Sequence, residues 1–93
     1  MATQGEKYRR LRDFLQGSFR PSELEIFLRL NGYAEVADAV PRGTPGADYF
    51  FDIVQALDHR GLVDGEFFGH LTRERPKKAA QVKSLEELWL GQE

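Results

Sequence analysis

Two histidines, His59 and His70, and six hydroxyls, Thr3, Ser18, Ser22, Thr44, Thr72 and Ser84, are the side chains from which nucleophilic machinery would have to be built, because the chain has no cysteine. A hydroxyl attacks only when a positioned base takes its proton, and no nucleophile-elbow sequence surrounds any of the six. A zinc site on one helix face needs two histidines at i, i+4, whereas these two stand eleven residues apart. Asp58 adjoins His59, but neighbouring helical positions diverge by about 100°. Gly43-Thr44-Pro45-Gly46 lacks the Lys-Ser/Thr that follows a phosphate-cradling glycine loop, and its proline removes a backbone donor, so it is expected to be a turn. No enzyme, catalytic residue, metal or cofactor is expected, and both histidines are expected at the surface or its rim.

Charge is the remaining chemistry. The net charge of -2 conceals segments of +3 over residues 1–20, -6 over 21–71 and +1 over 72–93. The basic candidates are Arg9, Arg10 and Arg12, beside Lys7, and Arg73, Arg75, Lys77 and Lys78 around Pro76. The acidic candidates are Glu23, Glu25, Asp52 and Asp58, with further carboxylates at Glu35, Asp38, Asp48, Asp64 and Glu66. Positive and negative patches that do not coincide favour head-to-tail contacts between copies, which build open helical oligomers unless the rotation closes. The alternative is a small helical DNA-binding domain that uses the basic first helix and the basic 73–78 segment. The sequence pI of about 5.7 and the acidic middle oppose it, so nucleic acid is not an expected partner.

These residues need elements to carry them, and helical spacing dominates. Tyr8, Leu11, Phe14 and Leu15 form one helical face, with Gly17 as the expected stop. Pro21 opens a second helix with Leu24, Phe27 and Leu28 inward, widened by Ile26 and Leu30, ending at Asn31-Gly32. Tyr33, Val36, Ala37 and Val40 predict a third helix of about two turns that Pro41 closes, before a turn-rich loop at 41–46. A fourth helix runs from about Ala47 to Arg60 with Phe50, Ile53, Val54 and Leu57 inward and Gly61 as its stop. Asp64 is the expected N-cap of a fifth helix carrying Phe67, Phe68 and Leu71, ending near Arg73. A sixth is expected from Lys77 to Leu90 with Ala79, Val82, Leu85 and Trp89, and Ser84 with Glu87 resembles a capping box that would restart it. No segment alternates as a half-buried strand does.

The fold class is therefore all-α, a compact antiparallel six-helix bundle, in one domain spanning 1–93 with its core at about 6–90. By size scaling, a chain this short buries roughly 60–65% of its unfolded surface, leaving little room for both a core and an elaborate active site. Its apolar runs are too short to span a membrane, and without cysteine it is expected in a reducing cytoplasm.

Six short helices in this length, Leu24-Glu25-Ile26-Phe27-Leu28 in helix two and Pro-Arg-Gly-Thr-Pro before helix four resemble the death-fold superfamily of death, death-effector and caspase-recruitment domains. The stretch from Phe50 through Ala56-Leu57-Asp58-His59-Arg60-Gly61-Leu62-Val63-Asp64 to Phe67-Phe68, then Leu71, Arg75-Pro76 and Leu88-Trp89-Leu90, is similar to bacterial death-like and effector-associated domains. The resemblance covers roughly residues 8–90. It implies a non-enzymatic module, excised from a longer protein, that pairs with other death-like domains. Such pairing recruits a protease, TIR or STAND-type NTPase effector in antiviral defence or programmed cell death. No catalytic motif is inherited with it.

Overall fold

A computed structural model describes residues 3–40 and 46–90. Among the described residues there are six α-helices and no strand: α1 (Gln4–Ser18), α2 (Pro21–Leu30), α3 (Ala34–Ala39), α4 (Gly46–His59), α5 (Gly65–Glu74) and α6 (Ala79–Leu90), with a 3₁₀ turn at Pro76–Lys78 before α6. No described helix is long and apolar enough to cross a membrane. The expected loop at 41–46 lies outside the described residues except for Gly46, which opens α4.

Local chemistry accounts for most helix ends. The Thr3 hydroxyl accepts from the Glu6 N–H at 3.1 Å and caps α1, while Asp64 accepts from the Phe67 N–H at 3.0 Å and caps α5. Pro21 opens α2, where Glu23 reaches back to the Arg20 N–H at 2.9 Å. Gly32 (φ +89°) and Gly61 (φ +68°) are in the left-handed region. The N–H of Tyr33 bonds to the Leu28 carbonyl and that of Leu62 to the Leu57 carbonyl, so both helices close in the same six-residue loop.

Three expectations need correction. Gly17 does not stop α1, which runs on through Ser18; the break comes from extended Phe19 and Arg20, the latter pushed out of the helical region by the proline that follows. Ser84 does not restart a helix, since α6 is unbroken from Ala79. Ile26 and Leu30 do not widen the buried stripe of α2: they are 57% and 80% exposed, because Ile26 lies about 160° around the helix from both Leu24 and Leu28, and Leu30 about 120° and 160° from them.

The core draws on every helix. Leu11, Leu15, Leu24, Leu28, Val36, Ile53, Val54, Leu57, Phe67 and Leu71 have no exposed surface. Phe67 meets Phe27, Tyr33 and Phe68 edge-on at ring separations of 6.3, 5.7 and 5.5 Å, which joins α2, the turn after it and α5. α1 packs most extensively on α4, α5 on α6, and α2 on α3. Tyr49, Phe19 and Val63, which the periodicity did not single out, are also buried. Trp89 is half-buried and stacks on Tyr8 with ring centres 5.8 Å apart, so it covers the core's edge instead of entering it. The radius of gyration is 12.2 Å, as expected for close packing at this length.

Candidate functional site

The basic 73–78 segment folds back on the end of α1. Arg75 Nε donates to the Ser18 carbonyl at 3.0 Å, its guanidinium lies 4.3 Å from the centre of the Phe19 ring, and Nη2 approaches Glu23 at 3.8 Å. Lys78 Nζ donates to the Ser18 hydroxyl at 2.9 Å and the Gly17 carbonyl at 3.3 Å, 5.8 Å from the centre of the Phe14 ring. The last turn of α1 contains no basic residue of its own, so two cations about sixty positions downstream satisfy its orphan carbonyls and the negative end of its dipole. Arg75 and Lys78, expected in an interaction patch, are thus largely engaged inside the domain. Arg73 contacts His70 Nδ1, and the exposed Lys77 makes no hydrogen bond or ion pair among the described residues.

The α1 cations do not form one patch. Helical spacing puts Arg10 and Arg12 about 160° apart, with Arg9 between them. Arg10 pairs with Glu6 at 3.4 Å and Arg12 with Asp13 at 2.9 Å, both at the surface. Lys7 lies 5.9 Å from the centre of the Trp89 ring. Arg9 is exposed and has no ion pair among the described residues.

The acidic candidates separate too. Glu23 is drawn into the α2 cap and toward Arg75. Glu25 accepts from Arg29 Nε at 3.1 Å, and Arg29 Nη2 donates to Asp38 at 2.7 Å, which ties α2 to α3. Asp38 first and Glu25 second raise the Arg29 guanidinium further above its already high ordinary value. Asp58 accepts from the Tyr8 hydroxyl at 2.6 Å and from Gln4 Nε2 at 3.2 Å, fastening α4 to α1. Burial, and then the bond to Asp58, raises the Tyr8 phenol above its ordinary 10.0. Asp52 lies about 120° around α4 from Asp58 and lines an open groove with Val40, Gln55, His59 and Arg60. Of the four acidic candidates, Asp52 is the one that makes no ion pair or hydrogen bond among the described residues.

His59 stands at the rim of that groove, and the half-buried His70 faces Glu66 at 3.7 Å and the Tyr33 ring edge-on. Among the described residues no three His, Asp or Glu side chains converge to hold a metal ion. The Arg75–Lys78 clasp and the Tyr8–Asp58 bond had no local signal in the sequence, since each joins residues at least fifty positions apart. The Glu25–Arg29 half of the α2–α3 bridge was visible as an i, i+4 pair, but its Asp38 half was not.

A second opening lies between α1 and α6. It is a cleft of about 340 Å³ lined by the buried Phe14 and Leu85 and the half-buried Leu88, with exposed Arg10, Asp13 and Ser84 at its lips. Comparison with protein-family models, curated proteins and solved structures found no match to this chain.

Proposed function

We propose that the chain is a non-enzymatic adaptor module that associates with like helical domains and thereby gathers or recruits an effector. The observation that carries this reading is a small all-α bundle whose six helices share one core, with charge left unspent on separate helices: Arg9 on α1 and Lys77 at the 3₁₀ turn, against Asp52 on α4. Unlike charges on separate elements suit contact between copies or related domains better than binding of a uniformly charged polymer. The resemblance of the Gly61-Leu62-Val63-Asp64, Phe67-Phe68, Arg75-Pro76 and Trp89-Leu90 series to death-like domains supports the same role. It extends the role to a protease, TIR or NTPase effector in bacterial immunity or programmed cell death. A DNA-binding role is weakened because Arg75 and Lys78 already direct their donors to α1.

Light scattering and sedimentation over about 10 µM to 1 mM, at low and physiological salt, test the adaptor reading. Self-association, or capture of a death-like domain encoded beside this chain, is expected. It should weaken on joint reversal of Arg9 and Arg12, which share one side of α1, because rim charges act collectively and not singly. A strict monomer that captures no such domain overturns the reading.

A further inference from the structure

The open groove that contains Asp52 is lined by polar side chains that the domain leaves unused. Asp52, Ala56 and His59 stand at i, i+4 and i+7 on one face of α4, Arg60 follows directly after, and the buried Val40 at the end of α3 forms the opposite wall. The half-buried Asp52 and Gln55 and the exposed His59 make no hydrogen bond or ion pair among the described residues. Arg60 Nη1 donates at 3.4 Å to the Ala56 carbonyl of its own helix, a long bond that leaves the rest of its guanidinium uncommitted. The α1–α6 cleft differs in this respect, because the charges at its lips, Arg10 and Asp13, are already paired with Glu6 and Arg12. Charge is also separated along the α4 groove. Asp52 stands at one end and His59 and Arg60 at the other, seven and eight residues on, which at 1.5 Å per residue is about 10 Å. Between the two ends lies the apolar surface of Ala56 and Val40, and the whole groove measures about 430 Å³, a size that suits a ligand site.

We propose that this groove binds an extended segment of another polypeptide that carries an arginine or lysine and, three residues away, an aspartate or glutamate. A polyproline-II segment has three residues per turn and advances about 3.1 Å per residue, so positions i and i+3 share a side and stand about 9 Å apart. That spacing matches the two ends of the groove. The backbone of such a segment is satisfied by water and needs no ladder of bonds, which the side of a helix does not offer. The cation meets Asp52, with its aliphatic stem on Ala56 and Val40, while the carboxylate meets Arg60 and His59. Gln55 is placed to bond the backbone between them. A uniformly charged polymer would meet a like charge at one end of the groove, so the mixed charge selects a ligand carrying both signs. The proposal is independent of the adaptor reading.

Fluorescence polarisation with end-blocked, labelled peptides tests this on the full 93-residue chain. One peptide places arginine three residues before glutamate, a second reverses the order, and a third of the same composition sets the two charges side by side. At least one of the first two is expected to bind with a Kd of about 10–300 µM, and the third about five-fold more weakly or worse. Asp52→Asn removes a carboxylate that supports nothing inside the domain, and circular dichroism checks its fold. It should weaken binding by about five- to ten-fold, and should have no effect once the peptide's arginine is replaced by glutamine. Arg60→Gln should couple in the same way to the peptide's glutamate. Binding of neither order below about 1 mM, equal binding of the side-by-side peptide, or an Asp52→Asn loss that persists without the peptide's arginine overturns the proposal. Self-association that Asp52→Asn abolishes, with no peptide bound, assigns the groove to a second copy and overturns it too. Because peptide binding and self-association are measured separately, failure of this proposal leaves the adaptor reading standing.

Discussion

Replacing Arg75 with alanine removes the centre of the clasp that holds the α5–α6 junction on the end of α1. Besides Arg75's local contacts to the Glu74 carbonyl and carboxylate at 3.1 and 3.4 Å, which join adjacent residues, the clasp loses the charged hydrogen bond to the Ser18 carbonyl at 3.0 Å, the guanidinium stacked 4.3 Å from the Phe19 ring, and the approach to Glu23 at 3.8 Å. A hydrogen bond from a charged group contributes about 1.5–2 kcal/mol, and a cation over an aromatic ring about 0.5–1 kcal/mol. The Glu23 contact adds little, because that carboxylate is half-exposed and the pair is screened. Arg75→Ala should therefore cost about 2–3 kcal/mol. With a urea m-value of about 1–1.5 kcal/mol/M for a domain of this size, the unfolding midpoint should fall by roughly 1.3–3 M, read by circular dichroism and Trp89 fluorescence. Arg75→Lys keeps the charge but loses the planar stack, and should recover about half the loss. Lys77→Ala, two residues along at an exposed position, should change stability by less than about 0.5 kcal/mol. If Arg75→Ala also falls within about 0.5 kcal/mol of wild type, the clasp contributes nothing and Arg75 returns to the pool of interaction residues.

Leu57, fully buried on α4, should cost about 2–5 kcal/mol on truncation to alanine, a large share of a total near 5–10 kcal/mol, measured by the same urea titration. Gly61→Ala should cost about 1–2 kcal/mol, and Gly61→Asn less. No atom crowds the position of an added Cβ, so the whole penalty comes from φ +68° and not from packing. The raised Tyr8 phenol favours the protonated form in the folded state. Its contribution is complete below the ordinary value of 10.0 and is lost as the pH climbs through the higher folded value. Stability should fall at alkaline pH, and Tyr8→Phe should flatten that fall without removing it, because burial raises Tyr33 as well. Urea midpoints from about pH 9 to 11.5 decide this; an unchanged slope in Tyr8→Phe refutes the Asp58 coupling.

Helix positions, most helix ends and the inward residues are written locally in the chain. The 3.6-residue period selects Leu11, Phe14, Leu24, Phe27, Ile53, Leu57, Phe67 and Leu71 without reference to any distant residue. Asp64 caps its helix through a bond spanning three residues, and Gly32 and Gly61 turn the chain because only glycine takes a positive φ without strain. Periodicity was weaker at the margins of an apolar face. Ile26 and Leu30 belong to an apolar run yet face outward, because a hydrophobic residue on the far side of a helix is buried only if a neighbouring element arrives there, and none of the described ones does.

The candidate site depended on tertiary structure much more heavily. Composition placed basic residues at both ends and acidic ones between, but a charged side chain is spent or available according to what lies within a few ångströms of its tip. Arg75 and Lys78 are drawn to carbonyls and a hydroxyl 57 to 61 positions away, Asp58 to a phenol 50 away, and Arg29 to a carboxylate on the next helix. By itself the sequence determined an all-α chain and the residues of its core, because helix formation and amphipathic burial are decided within a few turns. Which charges remain for a partner, that Ile26 and Leu30 stay uncovered, and that a cleft opens between α1 and α6 were decided only when the helices packed, because those properties depend on distances between residues far apart in the chain.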